Sequence, residues 1–159
     1  MDIKALLAEL GITYRWFAIA PCETCEESSR LLPDNRPGVG TKNLLLQDRK
    51  GRHYFLLVIE EHKVADLKRL AQQLETSRLS MVRAETLQDL LGVTRGSVSL
   101  FALLNDPEQR VQLLLDKDLL TATHWDAHPN RNDAVLILSR EDWQTYFSYL
   151  QRDWQTVTV

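Results

Sequence analysis

The chain has 159 residues, 44% of them apolar and 26% charged, and a net charge of −3, which is the composition of one soluble domain long enough to bury a core. No run approaches the roughly eighteen apolar residues of a membrane span. The slight acidic excess speaks against a protein that coats DNA or RNA by bulk charge. Two cysteines, Cys22 and Cys25, are too few for a disulfide scaffold, and Met1–Leu7 shows no basic region leading into a long apolar stretch, so a cytoplasmic setting is expected.

Asp2 is placed to cap a short helix carrying Ile3, Leu6, Leu7 and Leu10 on one face, with Gly11 ending it. Tyr14–Ile19, aromatic and β-branched, predicts a strand. Thr24 followed by Glu27 is a capping-box pattern for a helix running toward Leu32, and the Pro/Gly-rich stretch 33–40 predicts a loop. Asn43–Gln47 and His53–Ile59, joined by Asp48-Arg49-Lys50-Gly51-Arg52, predict a β-hairpin. Asp66–Leu74 has helical periodicity with Leu67, Leu70, Ala71 and Leu74 inward; Leu79–Val82 predicts a short strand; Glu85–Leu91 predicts a helix stopped by Gly92. Thr94–Ser99 predicts a Gly/Ser loop. Strands are expected at Phe101–Leu104, Val111–Leu115, Thr121–Ala127 and Ala134–Leu138, and Ser139 is placed to cap a helix reaching about Arg152. Hairpin-length connections dominate, so a single α+β domain over residues 1–159 with a mostly antiparallel sheet is expected.

Charge is unevenly spread. Residues 30–83 hold eleven Lys/Arg against six Asp/Glu, whereas residues 84–159 hold six against eleven. The basic third suits either ordinary solvated surface or an anionic partner contacted locally. There is no Gly-rich phosphate loop and no Gly-x-Ser-x-Gly elbow.

Four features bear chemistry. Lys42, after Gly38-Val39-Gly40-Thr41, sets a point cation beside the Asn43 amide, a combination suited to a substrate with a phosphate and an amine. Gly96-Ser97-Val98-Ser99 is either a plain connector or a loop whose N–H groups hold a carbonyl or oxyanion. His128 opens a polar turn, where a histidine is structural or catalytic. Cys22-Glu23-Thr24-Cys25 is a Cys-x-x-Cys pair. A redox role is opposed by Glu23, Glu26 and Glu27, which disfavour a thiolate, and zinc binding with His124 and His128 is opposed by the separation of about 100 residues.

Read together, these segments resemble the YbaK-type aminoacyl-tRNA deacylases, nearest the free-standing prolyl-tRNA editing proteins related to the editing insertion of bacterial prolyl-tRNA synthetases. The resemblance rests on Thr41-Lys42-Asn43-Leu44-Leu45-Leu46-Gln47-Asp48-Arg49-Lys50-Gly51, on Leu90-Leu91-Gly92-Val93-Thr94-Arg95-Gly96-Ser97-Val98-Ser99, on Leu104-Asn105-Asp106 with 111–120, on His128-Pro129-Asn130-Arg131-Asn132, and on Ser139-Arg140-Glu141-Asp142.

It implies an α+β domain with a central, partly barrel-like mixed sheet flanked by helices. It also implies a hydrolase clearing mischarged tRNA in trans, with alanine on proline tRNA the best-fitting substrate. No cofactor or metal is implied. The partners would be the acceptor end of aminoacylated tRNA and a cognate synthetase, with no DNA and no membrane. By the same resemblance, Lys42 would hold the phosphate or ribose of the terminal adenosine and Asn43 would orient the aminoacyl group. Gly96, with the N–H groups of Ser97 and Val98, would hold the ester carbonyl. His128 would position substrate or water, and Asn132 would contribute to substrate binding. The terminal hydroxyl of the tRNA would assist, which accounts for the absence of a protein nucleophile. The chain departs from the family pattern at Leu100, where proline is usual, at Asn130 and Asp133, and in the segments His124-Trp125-Asp126 and Cys22–Cys25. Two further readings stand beside this one: a binding module of the same fold without catalysis, and a metal or redox protein using Cys22 and Cys25.

Overall fold

Polar caps set the helix starts. In the computed structural model, which describes residues 2–159 apart from the Cys25 side chain, Asp2 accepts a hydrogen bond from Ala5 N at the start of α1 (Ile3–Glu9). Thr24 does the same for Glu27 N at α2 (Cys25–Arg30), and Asp66 for Arg69 N at α3 (Leu67–Gln73). α4 (Ala84–Leu91) ends at Gly92, whose φ of 65° puts it in the left-handed region that glycine tolerates. Ser139 caps α5 (Arg140–Tyr149) through Asp142 N.

Among the described residues, eight strands form two sheets. β1 (Arg15–Ala18), β7 (Ala134–Ser139) and β6 (His124–Ala127) lie antiparallel in the order β1-β7-β6. The second sheet has the order β4-β2-β3-β5-β8, from Ser80–Met81, Thr41–Gln47, Tyr54–Glu60, Val111–Asp116 and Trp154–Val157. The β2–β3 hairpin is antiparallel with Leu45 opposite Leu56, while β3–β5 and β5–β8 are parallel. The sheets meet at one seam, where Val39 bridges Trp125 just before β2 begins; among the described residues no continuous ladder closes them into a barrel.

The five-stranded sheet is buried on both faces because its central strands alternate between two apolar layers. Leu45, Leu56, Val58, Leu113 and Leu115 face the main core, with Phe101, Trp125, Trp143, Tyr146 and Phe147. Leu46, Phe55, Leu57, Ile59 and Leu114 face a smaller core covered by α3. Each such Leu or Ile contributes roughly 1.5–3 kcal/mol on burial.

Two local expectations are corrected. Phe101–Leu104 is not a strand: Leu100–Asn105 coils as a 3-10 helix, with Ser99 Oγ accepting from Phe101 N, and Leu100, Phe101, Ala102 and Leu103 are all buried. A four-residue apolar run buried all round has no periodicity that separates helix from strand. The last helix stops at Tyr149 rather than near Arg152, and the chain returns as β8. This edge strand exposes Gln155 and Thr156, so its apolar pattern is faint.

β4 pairs with β2 only at Leu46 and Gln47. Lys42–Leu44 therefore lies on an open stretch of sheet edge, and a cleft runs along it.

Candidate active site

Three segments converge at this open edge. β2 supplies Thr41, Lys42, Asn43 and Leu44; the turn after α4 supplies Arg95, Gly96 and Val98; the end of β6 leads into His128. With Glu23 and Thr24 they line a cleft of about 240 Å³. Behind it, Ser28, Thr41, Asn43, Asp126, Ala127, His128 and Val135 enclose a chamber of about 10 Å³, room for about one water molecule.

Lys42 is half-buried and makes no ion pair among the described residues, so its ammonium is available to an anion. The Asn43 Oδ1 atom is buried without a hydrogen-bond partner. A buried amide oxygen left unpaired is costly, and such atoms concentrate where a ligand or water completes the set. His128 is half-buried, and its Nδ1 lies 2.9 Å from the Ala134 carbonyl oxygen. A carbonyl only accepts, so Nδ1 carries the proton and, in the neutral ring, Nε2 is left as the acceptor.

The glycine turn is a 3-10 turn over Arg95–Ser97. The Ser97 N–H donates to Thr94 O at 3.0 Å, and the Ser97 hydroxyl side chain is buried and does not line the cleft. The donor expected from Ser97 is thus consumed by the turn itself. The first N–H groups of such a turn have no partner within it, which leaves those of Arg95 and Gly96 to an incoming oxygen. A Cβ on Gly96 would lie 3.2 Å from the Cys22 carbonyl oxygen and 3.5 Å from Glu23 Cα, so glycine lets the turn seat closely against the start of α2. Asn132 is not on the cleft wall. Its carbonyl accepts from Cys22 N at 3.1 Å, and its Cβ lies behind the turn, 3.9 Å from the position of that added Gly96 Cβ.

Leu100, where proline is usual in the resemblance, does not leave the segment loose. It is buried, its carbonyl accepts the Tyr146 hydroxyl at 3.0 Å, and the next carbonyl, of Phe101, accepts from Asn130 Nδ2 at 3.2 Å. Asn130 adopts φ 61°, a left-handed conformation that asparagine tolerates better than most residues.

Cys22 is buried, and its Sγ donates to the Ala20 carbonyl at 3.0 Å. Burial, then Glu27, push its thiol pKa up, the opposite of a reactive thiolate. Among the described residues, Cys22, His124 and His128 do not form a metal-ligating cluster; the one such grouping, Glu60, Glu61 and His62, lies elsewhere.

In the sequence, Asp126 stands out only as part of the segment His124-Trp125-Asp126. It sits on β6 beneath the cleft, where its Oδ1 accepts Thr41 N at 2.8 Å. The Thr41 hydroxyl lies 2.9 Å from the Asp126 carbonyl and 3.2 Å from Oδ1. These bonds tie the residue before Lys42 to the strand that delivers His128. Desolvation pushes the Asp126 carboxyl up to about 7, helped by Glu61 and opposed by the Thr41 hydrogen bonds and Arg36. No local pattern signals such burial; the contact with Thr41 spans 85 residues of sequence.

A sheet edge carrying a cation and an amide, faced by a glycine turn and an imidazole, defines a cleft for an anionic ester. Comparison with known proteins gives it a family. The model of the aminoacyl-tRNA editing domain matches residues 19–146. The chain is 37% identical over 146 residues to the prolyl-tRNA editing protein ProX of Acetoanaerobium sticklandii, covering 89% of this chain and 88% of that one. It is 34% identical over 107 residues to the prolyl-tRNA synthetase associated domain-containing protein 1 of Danio rerio, covering 66% and 58%. Among solved structures, the hypothetical protein APE2540 superposes with a TM-score of 0.73 at 19% identity, covering 99% of this chain and 97% of that one. A structure described as a candidate trans-editing enzyme for prolyl tRNA synthetase gives 0.71 at 17%, covering 98% and 92%; both likenesses speak to fold. The chain belongs to the aminoacyl-tRNA editing domain family. It is an aminoacyl-tRNA deacylase, a hydrolase that edits mischarged tRNA.

Proposed function

We propose that this protein acts in trans on proline tRNA bearing a small wrong amino acid, alanine first, and releases that amino acid by ester hydrolysis. The observation that carries this reading is that Lys42, Asn43, Gly96 and His128 all line one cleft of about 240 Å³. That is below the roughly 300–1,000 Å³ of drug-sized pockets, a size suited to a small aminoacyl group with part of its ribose. The 37% identity to a protein named for prolyl-tRNA editing supports the choice of tRNA.

In this reading, the Lys42 ammonium neutralises the phosphate or ribose end of the terminal adenosine, and Asn43 orients the aminoacyl group. The Gly96 N–H donates to the ester carbonyl oxygen, and Val98 packs beside it. His128 Nε2 accepts from a water or from the free hydroxyl of the ribose. Water adds to the carbonyl carbon, the oxyanion forms against the glycine turn, the carbon–oxygen bond to the ribose breaks, and the departing ribose oxygen takes up a proton. An aminoacyl ester is already activated, so positioning and oxyanion stabilisation of several kcal/mol suffice without a protein nucleophile. Discrimination by cleft size is modest, since one methylene is worth about 1–3 kcal/mol. A cognate synthetase is the partner that would hand over the mischarged tRNA.

The test is a panel of mischarged tRNAs. Release of alanine from proline tRNA, faster than release of proline from the same tRNA, is the expected result. Tight binding of the tRNA end with no release from any member of the panel would overturn the reading in favour of a non-catalytic binding module.

A further inference from the structure

The chamber behind the cleft contains two polar groups whose needs match. The Asn43 Oδ1 is buried and unpartnered. Asp126 lines the same chamber; its Oδ1 is occupied by Thr41, and its Oδ2 has no hydrogen bond among the described residues. The chamber that both line admits about one water. An Asn oxygen aimed at a bare carboxylate is repulsive. Three arrangements satisfy the pair: the acid form of Asp126 donates from Oδ2 to Asn43 Oδ1, directly or through the water; the carboxylate accepts from a reversed Asn43 amide; or a water donates to both oxygens and leaves the amide unturned.

Resting on the deacylase reading above, we propose that Asp126 is a positioning residue. It sets which end of the Asn43 amide faces the cleft, and so whether the cleft offers the aminoacyl group a donor or an acceptor. With Asp126 in its acid form, Asn43 presents its NH₂. With Asp126 ionised, Asn43 presents its carbonyl oxygen, which accepts from the substrate's α-ammonium and gives the faster enzyme.

The surroundings place this exchange near neutral pH. Glu61, at the end of the hairpin, raises the carboxyl; Arg36, in the preceding loop, and the Thr41 donors lower it; burial dominates and brings it to about 7. His124, on β6, and His128, just past its end, flank Asp126 at two-residue spacing; Lys42 lines the adjoining cleft, α2 contributes the neutral Ser28, and β7 contributes the apolar Val135.

The experiment uses the whole protein. NMR follows the Asp126 carboxyl carbon and the Asn43 side-chain amide from pH 5 to 9. The two are expected to move with one shared midpoint near 7, and the amide is expected to stay still in Asp126→Asn, where the amide at 126 donates at every pH. In parallel, kcat/KM for alanyl-tRNA of the proline type is measured over the same range. The wild-type profile is expected to rise by about tenfold more than that of Asp126→Asn, the scale of one hydrogen bond to a charged group. Titration of the substrate amine is common to both enzymes and drops out of the difference. In Asn43→Ala, adding Asp126→Asn is expected to leave the profile unchanged. An Asn43 amide that stays still in the wild type, or follows a midpoint different from that of Asp126, overturns the proposal. If the wild type deacylates nothing, the functional reading fails while the NMR result still decides the coupling.

Discussion

Two buried aspartates, Asp106 and Asp126, are treated differently. Asp106, in the turn before β5, accepts from Arg110 N and Val111 N at 2.9 Å each, and the buried Arg152 guanidinium reaches its carboxylate at 3.3 Å and its carbonyl at 2.9 Å. Arg152 also donates to Val111 O at 2.7 Å, so this clasp fixes the start of β5 to the link between α5 and β8. Asp126 faces no guanidinium in contact; it has the Thr41 donors and a water-sized chamber. Where a carboxylate is saturated with donors it holds the backbone. Where one oxygen is left beside an unpartnered amide, the fold has kept capacity for chemistry, because a fully satisfied group has nothing left to offer a substrate.

The largest effect belongs to the clasp. Asp106→Ala leaves the Arg152 charge buried and unpaired and is expected to cost about 3–5 kcal/mol of stability, read by denaturant unfolding. Activity per folded molecule should be little changed, and a loss under 1 kcal/mol would mean that the clasp holds nothing. On the other side of the comparison, Lys42→Ala should lower kcat/KM by about 10²-fold or more with the denaturation midpoint nearly unmoved. A fully active variant would remove the cation from the site. Gly96→Ala is intermediate: the new methyl group meets the Cys22 carbonyl at 3.2 Å, so the turn must shift by a few tenths of an ångström. About a tenfold loss in kcat is expected, consistent with the sensitivity of oxyanion donors to small displacements; an unchanged kcat would move the carbonyl-binding role away from this turn.

The comparison also bears on stability as a function of pH. Asp126 is raised in the folded protein from 3.8 to about 7, so the folded state binds more protons than the unfolded one between those values. Its contribution therefore destabilises as pH rises from about 4 toward 7 and is fully present above 7. Asp126→Asn should then gain on the wild type as pH rises from 5 to 8. Asp48 has the opposite sign. The His53 side chain and the backbone N–H groups of Arg52 and His53 hold its carboxyl down at about 2, so its stabilisation is present above pH 4 and is lost as pH falls through 2. A Tm series for wild type, Asp126→Asn and Asp48→Asn separates the two; parallel curves for the two variants would contradict both assignments.

Much of the frame was legible locally. Asp2, Thr24, Asp66 and Ser139 cap the helices they precede, and the β2–β3 hairpin lies where two apolar runs flank a polar turn. The site was legible in part, since Lys42, Asn43, Gly96, Val98 and His128 line one cleft. What was hidden is long-range or depends on detailed backbone geometry. The parallel pairing of β5 with β3 and β8 leaves no hairpin signature. A glycine turn does not announce that its own 3-10 geometry spends the Ser97 donor. Asp126 reads as an ordinary strand-end acid until Thr41, 85 residues away, closes over it.

The most direct measurement is a structure of the protein bound to an alanyl-adenosine analogue whose ester is replaced by an amide. The account predicts that its phosphate or ribose end lies within contact of the Lys42 ammonium, its carbonyl oxygen lies about 3 Å from the Gly96 N–H, and its alanyl methyl sits between Asn43 and His128. A bound analogue whose carbonyl lies away from the glycine turn, or outside the cleft altogether, would contradict it.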